Sequence, residues 1–203
     1  MSASTASATL RDVIGLPGTL PRLAESTLIM VDFQNTYLTG VMALEGAQQA
    51  LAAGARLLAA GRAAGAPVVH VVNDGGEGTP YDIGAEIGAI SAEVAPLDGE
   101  PVVVKQFPNA FHATELEKTL RGLGAGPDLV IAGFMTHMCV TFTAEGAFNL
   151  GYRPTVVAEA TATRTLTAPD GTLIPATTLQ SASLTTIADL FATVAPTVAA
   201  LTP

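Results

Sequence analysis

Cysteine is nearly missing from this chain: position 139 holds the single one among 203 residues. One cysteine excludes an internal disulfide and fits a reducing compartment, so a cytoplasmic protein is expected. Basic residues are scarce too, with 9 Lys and Arg against 18 Asp and Glu, a net charge of -9 and a pI near 4.6. Nucleic acids and anionic membranes are both gripped through clustered Lys and Arg, so neither is expected as a partner. No apolar run is an uninterrupted span of membrane length. Residues 1–10, rich in Ser, Thr and Ala, lack the basic and long apolar segments of an export signal. There is no internal repeat, no P-loop and no G-x-S-x-G. The glycines of GLGAGP at 122–127 precede an apolar run instead of following one, so they fail the dinucleotide fingerprint.

What is present is apolar. At 49% hydrophobic residues the chain supports one sizeable core, hence a single domain over residues 23–203 after a polar N-terminal arm, residues 1–22. Short apolar, β-branched runs at 27–33, 67–73, 101–105, 129–132 and 154–158 read as buried strands, and 192–194 as a sixth. Between them, helical spacing of apolar residues predicts helices over 47–64, from Thr114 with a Thr114–Glu117 capping box, from Cys139 onward, and from Thr177. Strands alternating with helices specify βαβ units: an α/β fold with a mainly parallel sheet and helices on both faces. Residues 74–99 and 159–175 carry too much Gly, Pro and Thr for regular structure and are expected, with 37–45, to shape the pocket.

In such sheets sites form outside the carboxyl ends of the strands. Three chemically active side chains fall on that edge: Asp32 after the first strand, Lys105 ending the third, and Cys139 in the turn after the fourth. Cys139 is expected at or beside a helix N-terminus, where free N–H groups and the helix dipole favour a thiolate. A lone cysteine is also a common inert core residue, and strand ends are where charges belong anyway. Of the histidines, His70 lies inside a strand and reads as a satisfied core residue, whereas His112 and His137 flank the expected pocket, His137 either lining it or capping the turn. Phe111 is the aromatic expected to line the substrate, with Gln34 and Phe134 as further substrate-side candidates; Gln34 also reads as a residue that orders the site around Asp32.

Asp32-Phe33-Gln34, Lys105 ahead of Asn109-Ala110-Phe111, and AGFMTHMCV at 132–140 followed by Gly151-Tyr152 resemble, in order and spacing, the cysteine hydrolases of the isochorismatase-like superfamily. The resemblance runs from about residue 28 to 191. It implies a three-layer sandwich around a six-stranded, mainly parallel sheet, a homo-oligomer, and a Cys139–Asp32–Lys105 triad that splits a carbon–nitrogen bond of a small amide, lactam or related compound without an organic cofactor. It also implies an oxyanion hole from the backbone N–H groups of Met135 and Cys139, with a cis peptide at Phe134–Met135. Nicotinamidase-like members hold a divalent metal through an Asp and histidines just after the second strand. Here Asp74 is followed by GGEGTPYD, so no metal is expected. Two other classes stay open: a vinyl ether hydrolase of the isochorismatase type, and a binding or redox-sensing protein on the same scaffold.

Overall fold

The computed structural model describes residues 6–201; residues 1–5 and 202–203, at the ends of the expected arm and domain, lie outside the described residues. The arm contains a short helix, α1 (Leu10–Ile14), closed by a reciprocal Thr9–Asp12 capping box. Its Leu10 N–H donates to Asp189 Oδ1 at 2.9 Å and Arg11 Nη1 donates to the Leu190 carbonyl at 3.1 Å, which ties the arm to the far end of the chain.

The body alternates β1 (Thr27–Val31), α2 (Ala47–Ala63), β2 (Val68–Asn73), β3 (Val102–Lys105), α3 (Leu116–Gly122), β4 (Asp128–Phe134), α4 (Thr141–Asn149) and β5 (Arg153–Ala162). A two-residue hairpin, β6 (Leu166–Thr167) with β7 (Leu173–Ile174), then leads to α5 (Ala176–Thr186) and β8 (Thr193–Ala195). The six long-range strands form one sheet in the order β3-β2-β1-β4-β5-β8, every neighbouring pair parallel. This is the expected α/β architecture.

The period of two along each strand sorts side chains onto two cores. On β1, Leu28 and Met30 enter the cluster covered by α2, while Ile29 and Val31 enter the one covered by α3, α4 and Ile187. The two glycines inside α2 are explained by that contact. A Cβ on Gly54 would lie 2.5 Å from the Phe33 ring, and one on Gly61 would lie 2.5 Å from Leu28.

Three expectations need correction. The fifth strand does not stop at 158 but runs to Ala162, because a register irregularity opposite Ile131–Gly133 lets pairing resume at Thr161 and Ala162. The threonine-rich stretch contains the β6–β7 hairpin, whose two-residue strands are too short to show a period. The Thr114–Glu117 capping box does not form: α3 begins at Leu116 without a side-chain cap, and the Thr114 hydroxyl donates to the Ala110 carbonyl at 2.5 Å.

The chain winds outward from β1 through β2 to β3, and outward from β4 through β5 to β8. The crevice at this reversal opens at the carboxyl ends of β1 and β4, the general ligand position in doubly wound sheets. At the opposite edge, a cavity of about 340 Å³ lies between the arm and the strand starts, lined among others by Arg11, Asp128, Tyr152 and Arg153. It is remote from the strand ends that carry Asp32, Lys105 and Cys139.

Candidate active site

Asp32 follows β1 directly and adopts a left-handed backbone conformation, φ 50°. Aspartate tolerates this region better than most side chains, and backbone bonds fix it on both sides. Its N–H donates to the Val71 carbonyl at 2.8 Å, and its carbonyl accepts the Gln34 N–H at 2.7 Å. Lys105 comes from β3, where alternation turns Val102 and Val104 to solvent and Val103 and Lys105 inward. The ammonium therefore enters the sheet interior at 1% exposure, reaching Asp32 Oδ2 at 2.7 Å, Cys139 Sγ at 3.2 Å and Asn73 Oδ1 at 3.3 Å. Asp32 is fully buried. The ammonium holds the carboxyl group by charge at 2.7 Å, and an oxygen with lone pairs to spare can receive a proton.

Cys139 does not begin an α-helix. It sits in a π-helical turn, Thr136–Val140, that runs straight into α4. The Met135 carbonyl accepts the N–H groups of Met138 at 3.0 Å and Val140 at 3.2 Å, and the peptide at Phe134–Met135 is cis. Gly133 makes this junction possible. It pairs with Val31 at φ 136°, and a Cβ there would lie 1.8 Å from the Val31 carbonyl oxygen. Cys139 thus lies beside the start of α4, as expected, but its other neighbours work against a thiolate. Burial pushes the Cys139 thiol up to about 12, Asp32 adds to the rise, and Lys105 only partly opposes it.

The carboxyl group of Asp32 is likewise raised by burial against the pull of Lys105. For Lys105, burial is the largest single influence and acts downward, but Asp32 and Cys139 together outweigh it and the ammonium is favoured. The arrangement is thus a raised thiol beside the Asp32 carboxyl group and the Lys105 ammonium, which opposes the rise of both acids. Such a set can move the thiol proton to the carboxylate as sulfur attacks, with the cation balancing charge throughout.

The remaining predicted residues divide. Gln34 is completely buried, and its amide donates to the carbonyls of Asn73 at 3.0 Å and Gly88 at 2.7 Å while accepting the Asn73 N–H at 2.9 Å. Both donors are spent on backbone, so Gln34 orders the strand ends and is not free for substrate. Phe134 is also fully buried, its ring edge-on to Phe33 at 4.9 Å and to Tyr37 at 5.5 Å, which makes it core under the site. Phe111 is carried away. The loop after β3 runs down α4, with the Ala110 N–H on Thr143 Oγ1 at 3.1 Å and Asn109 packed where a Cβ of Gly146 would be. Phe111 thereby stacks on Tyr152 at 6.0 Å, just before β5 at the other edge of the sheet. The nine residues of α4 span about 13 Å at 1.5 Å per residue, which separates that ring from the cysteine.

His112 is exposed and packs on Phe107 at 4.7 Å, outside the cluster. His70 is a satisfied core residue, its Nε2 3.0 Å from Glu100 Oε2, and Arg62 grips the same carboxylate. His137 does stand at the site: its Nδ1 is 2.6 Å from Thr163 Oγ1, and burial followed by the charge of Arg164 lowers its pKa.

Four residues at the site were not singled out from the sequence. Asn73 was findable, because it ends β2 opposite Lys105 in register just as Lys105 ends β3. Tyr37, Tyr81 and Arg164 come from the three irregular segments and carry no periodic signal. Tyr37 and Tyr81 meet edge-on at 5.8 Å. Burial raises the Tyr37 phenol, and the charge of Asp32 adds to it. Asp74, which would open a metal site in nicotinamidase-like proteins, accepts the Gly76 N–H at 2.9 Å in a local turn. Among the described residues no helix is long and apolar enough to cross a membrane.

This geometry has close counterparts. The crystal structure of an isochorismatase from Pseudomonas putida KT2440 superposes with a TM-score of 0.91 at 39% identity, covering 97% of this chain and 100% of that one. The uncharacterized isochorismatase family protein YddQ of Bacillus subtilis is 36% identical over 179 residues, 87% of this chain and 98% of its own length. Maleamate amidohydrolase of Pseudomonas putida is 33% identical over 155 residues, 65% of this chain and 70% of its own. Residues 26–198 match the Isochorismatase domain family. The match spans every strand of the sheet together with Asp32, Lys105 and Cys139, and the chain accordingly belongs to the isochorismatase family of hydrolases, which includes amidohydrolases.

Proposed function

We propose that the protein is a cysteine amidohydrolase that opens a carbon–nitrogen bond of a small amide through a thioester on Cys139. The observation that carries this reading is the buried ammonium of Lys105, 2.7 Å from Asp32 and 3.2 Å from the Cys139 sulfur. A bare carboxylate beside a buried thiol would only suppress ionisation. A cation touching both makes transfer of the proton from sulfur to carboxylate nearly charge-neutral at the site.

In this cycle the sulfur attacks the carbonyl carbon as Asp32 takes the thiol proton. The oxyanion is met by the N–H groups of Met135 and Cys139. As the intermediate collapses the C–N bond breaks, and Asp32 delivers its proton to the leaving nitrogen. Water, deprotonated by Asp32, then cleaves the thioester, and the proton returns to sulfur. The steps use these side chains and water and no organic cofactor. The substrate is small, since Cys139 and Met135 are each only 7% exposed. The reading extends to a cytoplasmic homo-oligomer: the single cysteine fits a reducing compartment, and the outer edge of β3 presents Val102 and Val104 at 45% exposure, surface that a second copy would cover.

Relatives named for amide cleavage, such as maleamate amidohydrolase, favour this chemistry over vinyl ether hydrolysis. The test is mass spectrometry of the protein quenched during turnover of a panel of small amides. A Cys139-linked acyl adduct, absent in Cys139→Ala, is expected together with ammonia or amine release. Turnover without an adduct points to ether-type hydrolysis. Neither turnover nor adduct across the panel points to a binding or redox-sensing protein.

A further inference from the structure

Of the chain's 9 basic side chains, Arg11, Arg22 and Arg153 gather at one place, at the end of the sheet opposite Cys139. They line the cavity of about 340 Å³ between the N-terminal arm and the starts of β4, β5 and β8, with Glu25 and Asp128 for acids. Asp128 is already held by Arg153, whose Nε donates to Oδ1 at 2.8 Å and whose Nη2 donates to Oδ2 at 2.5 Å. Arg11 differs. Its Nη1 donates to the Leu190 carbonyl at 3.1 Å and its Nη2 to the Pro17 carbonyl at 2.7 Å, and among the described residues it forms no ion pair. The neighbouring Asp12 carboxylate is turned to the Thr9 N–H at 3.1 Å and the Thr9 hydroxyl at 2.7 Å in the α1 capping box. Burial accordingly disfavours the Arg11 charge more than Asp12 favours it. A guanidinium carries five N–H donors, so two backbone carbonyls leave capacity for a further acceptor, and a carboxylate is the one it binds best.

Much of the remaining wall is apolar. Leu16 and Leu20 come from the arm, Phe148 from the last turn of α4, Tyr152 from the turn before β5, and Phe191 from the turn before β8. Phe148 and Phe191 meet edge-on at 6.2 Å, and Tyr152 stacks on Phe111 at 6.0 Å, so these rings are held by packing. The hydroxyls of Thr155 and Thr193 lie 3.0 Å apart and satisfy each other. Fixed rings and a few convergent polar groups, in a volume near the lower bound of the roughly 300–1,000 Å³ usual for small-molecule sites, describe a pocket for a compact amphipathic ligand. An amine is repelled by the clustered guanidiniums. Inorganic phosphate would use the charge and leave the rings against water.

We propose that the cavity under the N-terminal arm is a second binding site, distinct from the cysteine pocket, for a small monocarboxylate with an aromatic or similarly compact apolar body. The carboxylate meets Arg11, and the body lies among Phe148, Tyr152 and Phe191. Such a ligand supplies the counter-charge that this guanidinium lacks, and in a chain of net charge -9 the local cations offset the general repulsion of an anion. It also joins the arm, anchored at Asp189 and Leu190, to the start of the sheet. Binding there does not depend on the chemistry at Cys139, which lies beyond the other end of β4.

The test is an NMR titration of the isotope-labelled full chain with phenylacetate, phenylpropionate and phenylbutyrate, and with the neutral phenylethanol, phenylpropanol and phenylbutanol of matching length. At least one acid is expected to shift the backbone amides of Leu16, Leu20, Arg22, Tyr152 and Arg153, and to bind at least about tenfold more tightly than its alcohol. Arg11→Gln should lose that preference, with alcohol binding changed by less than about threefold, and Arg11→Lys should keep part of it. If Arg11→Gln releases the arm from the body, the wild-type preference and the Arg11→Lys result decide. Added salt should weaken the acids and spare the alcohols. Shifts confined to residues 135–140 put the probes at the cysteine instead and overturn the proposal. Equal affinity for acids and alcohols overturns it too, as does acid binding that Arg11→Gln leaves unchanged in a folded protein. So does the absence of binding by every probe up to about 10 mM. Arm shifts that follow protein concentration without a probe also overturn it, and name a second copy of the chain as the occupant.

Discussion

Replacing Lys105 by Met keeps the length of the side chain and deletes the charge that sits 2.7 Å from Asp32. Removing one member of a buried ion pair ordinarily costs about 3–5 kcal/mol, because the other is left ionised without water or partner. Asp32 has a way out: it can take up a proton. An unfolded aspartate releases its proton near pH 3.9, about three units below neutrality, and at about 1.4 kcal/mol per unit this sets a ceiling of about 4 kcal/mol on the loss at pH 7. The sign follows from the proton count. With the folded pKa raised, the folded variant holds a proton that the unfolded chain has released, so its stability falls as pH rises and recovers as pH drops towards 4. The gap to wild type should narrow by up to about 3 kcal/mol between pH 7 and pH 5. The chain has no tryptophan, so urea unfolding is best followed by far-ultraviolet circular dichroism across that range. Turnover should fall by on the order of 10³-fold, since a protonated Asp32 no longer accepts the thiol proton. A stability gap independent of pH, or activity within tenfold of wild type, would refute the idea that Lys105 keeps this carboxylate ionised.

Two further outcomes follow from the same geometry. Asp32→Asn removes a negative charge that raises the Cys139 thiol, so iodoacetamide should label Cys139 faster at pH 8 than in wild type while amide turnover falls by on the order of 10³-fold; slower or unchanged labelling contradicts the assigned coupling. Gly133→Ala places a methyl group 1.8 Å from the Val31 carbonyl oxygen and should cost more than about 3 kcal/mol in urea unfolding, with a loss below about 1 kcal/mol counting against the close β1–β4 approach.

Much of the fold was legible because a strand buried on both faces has few ways to be written. TLIMV, VVHVVN and DLVIAGF announce themselves as central strands; Asp32 and Cys139 follow the first and third of these runs, and Lys105 ends the shorter run VVVK. What could not be read was direction. Phe111 and Phe134 are apolar residues near the triad in sequence. One is led down α4 to Tyr152 and the other turned under the sheet onto Phe33, and only the path of the backbone distinguishes a pocket wall from a core. The cysteine shows a different limit. Helix-terminus reasoning gives a lowered thiol pKa. Burial and a neighbouring carboxylate are larger effects of opposite sign, and both depend on residues more than 30 positions away. Arg11 was silent in the sequence because its signal is a missing counter-charge, and an absent ion pair has no motif.

One consequence of the topology concerns leverage. The cation that balances the site rides on β3, which is the outermost strand and is hydrogen-bonded on one side only. Its partner carboxylate hangs from β1, locked between β2 and β4. At a 2.7 Å separation and an effective dielectric of about 20, drawing the outer strand back by about 0.5 Å weakens the attraction by about 1 kcal/mol, roughly a fivefold change in how readily the carboxylate gives up its proton. The rim of the sheet is therefore a tuning peg for the chemistry at its centre: whatever grips or bends β3 from outside resets the proton balance at the sulfur without touching any reacting atom.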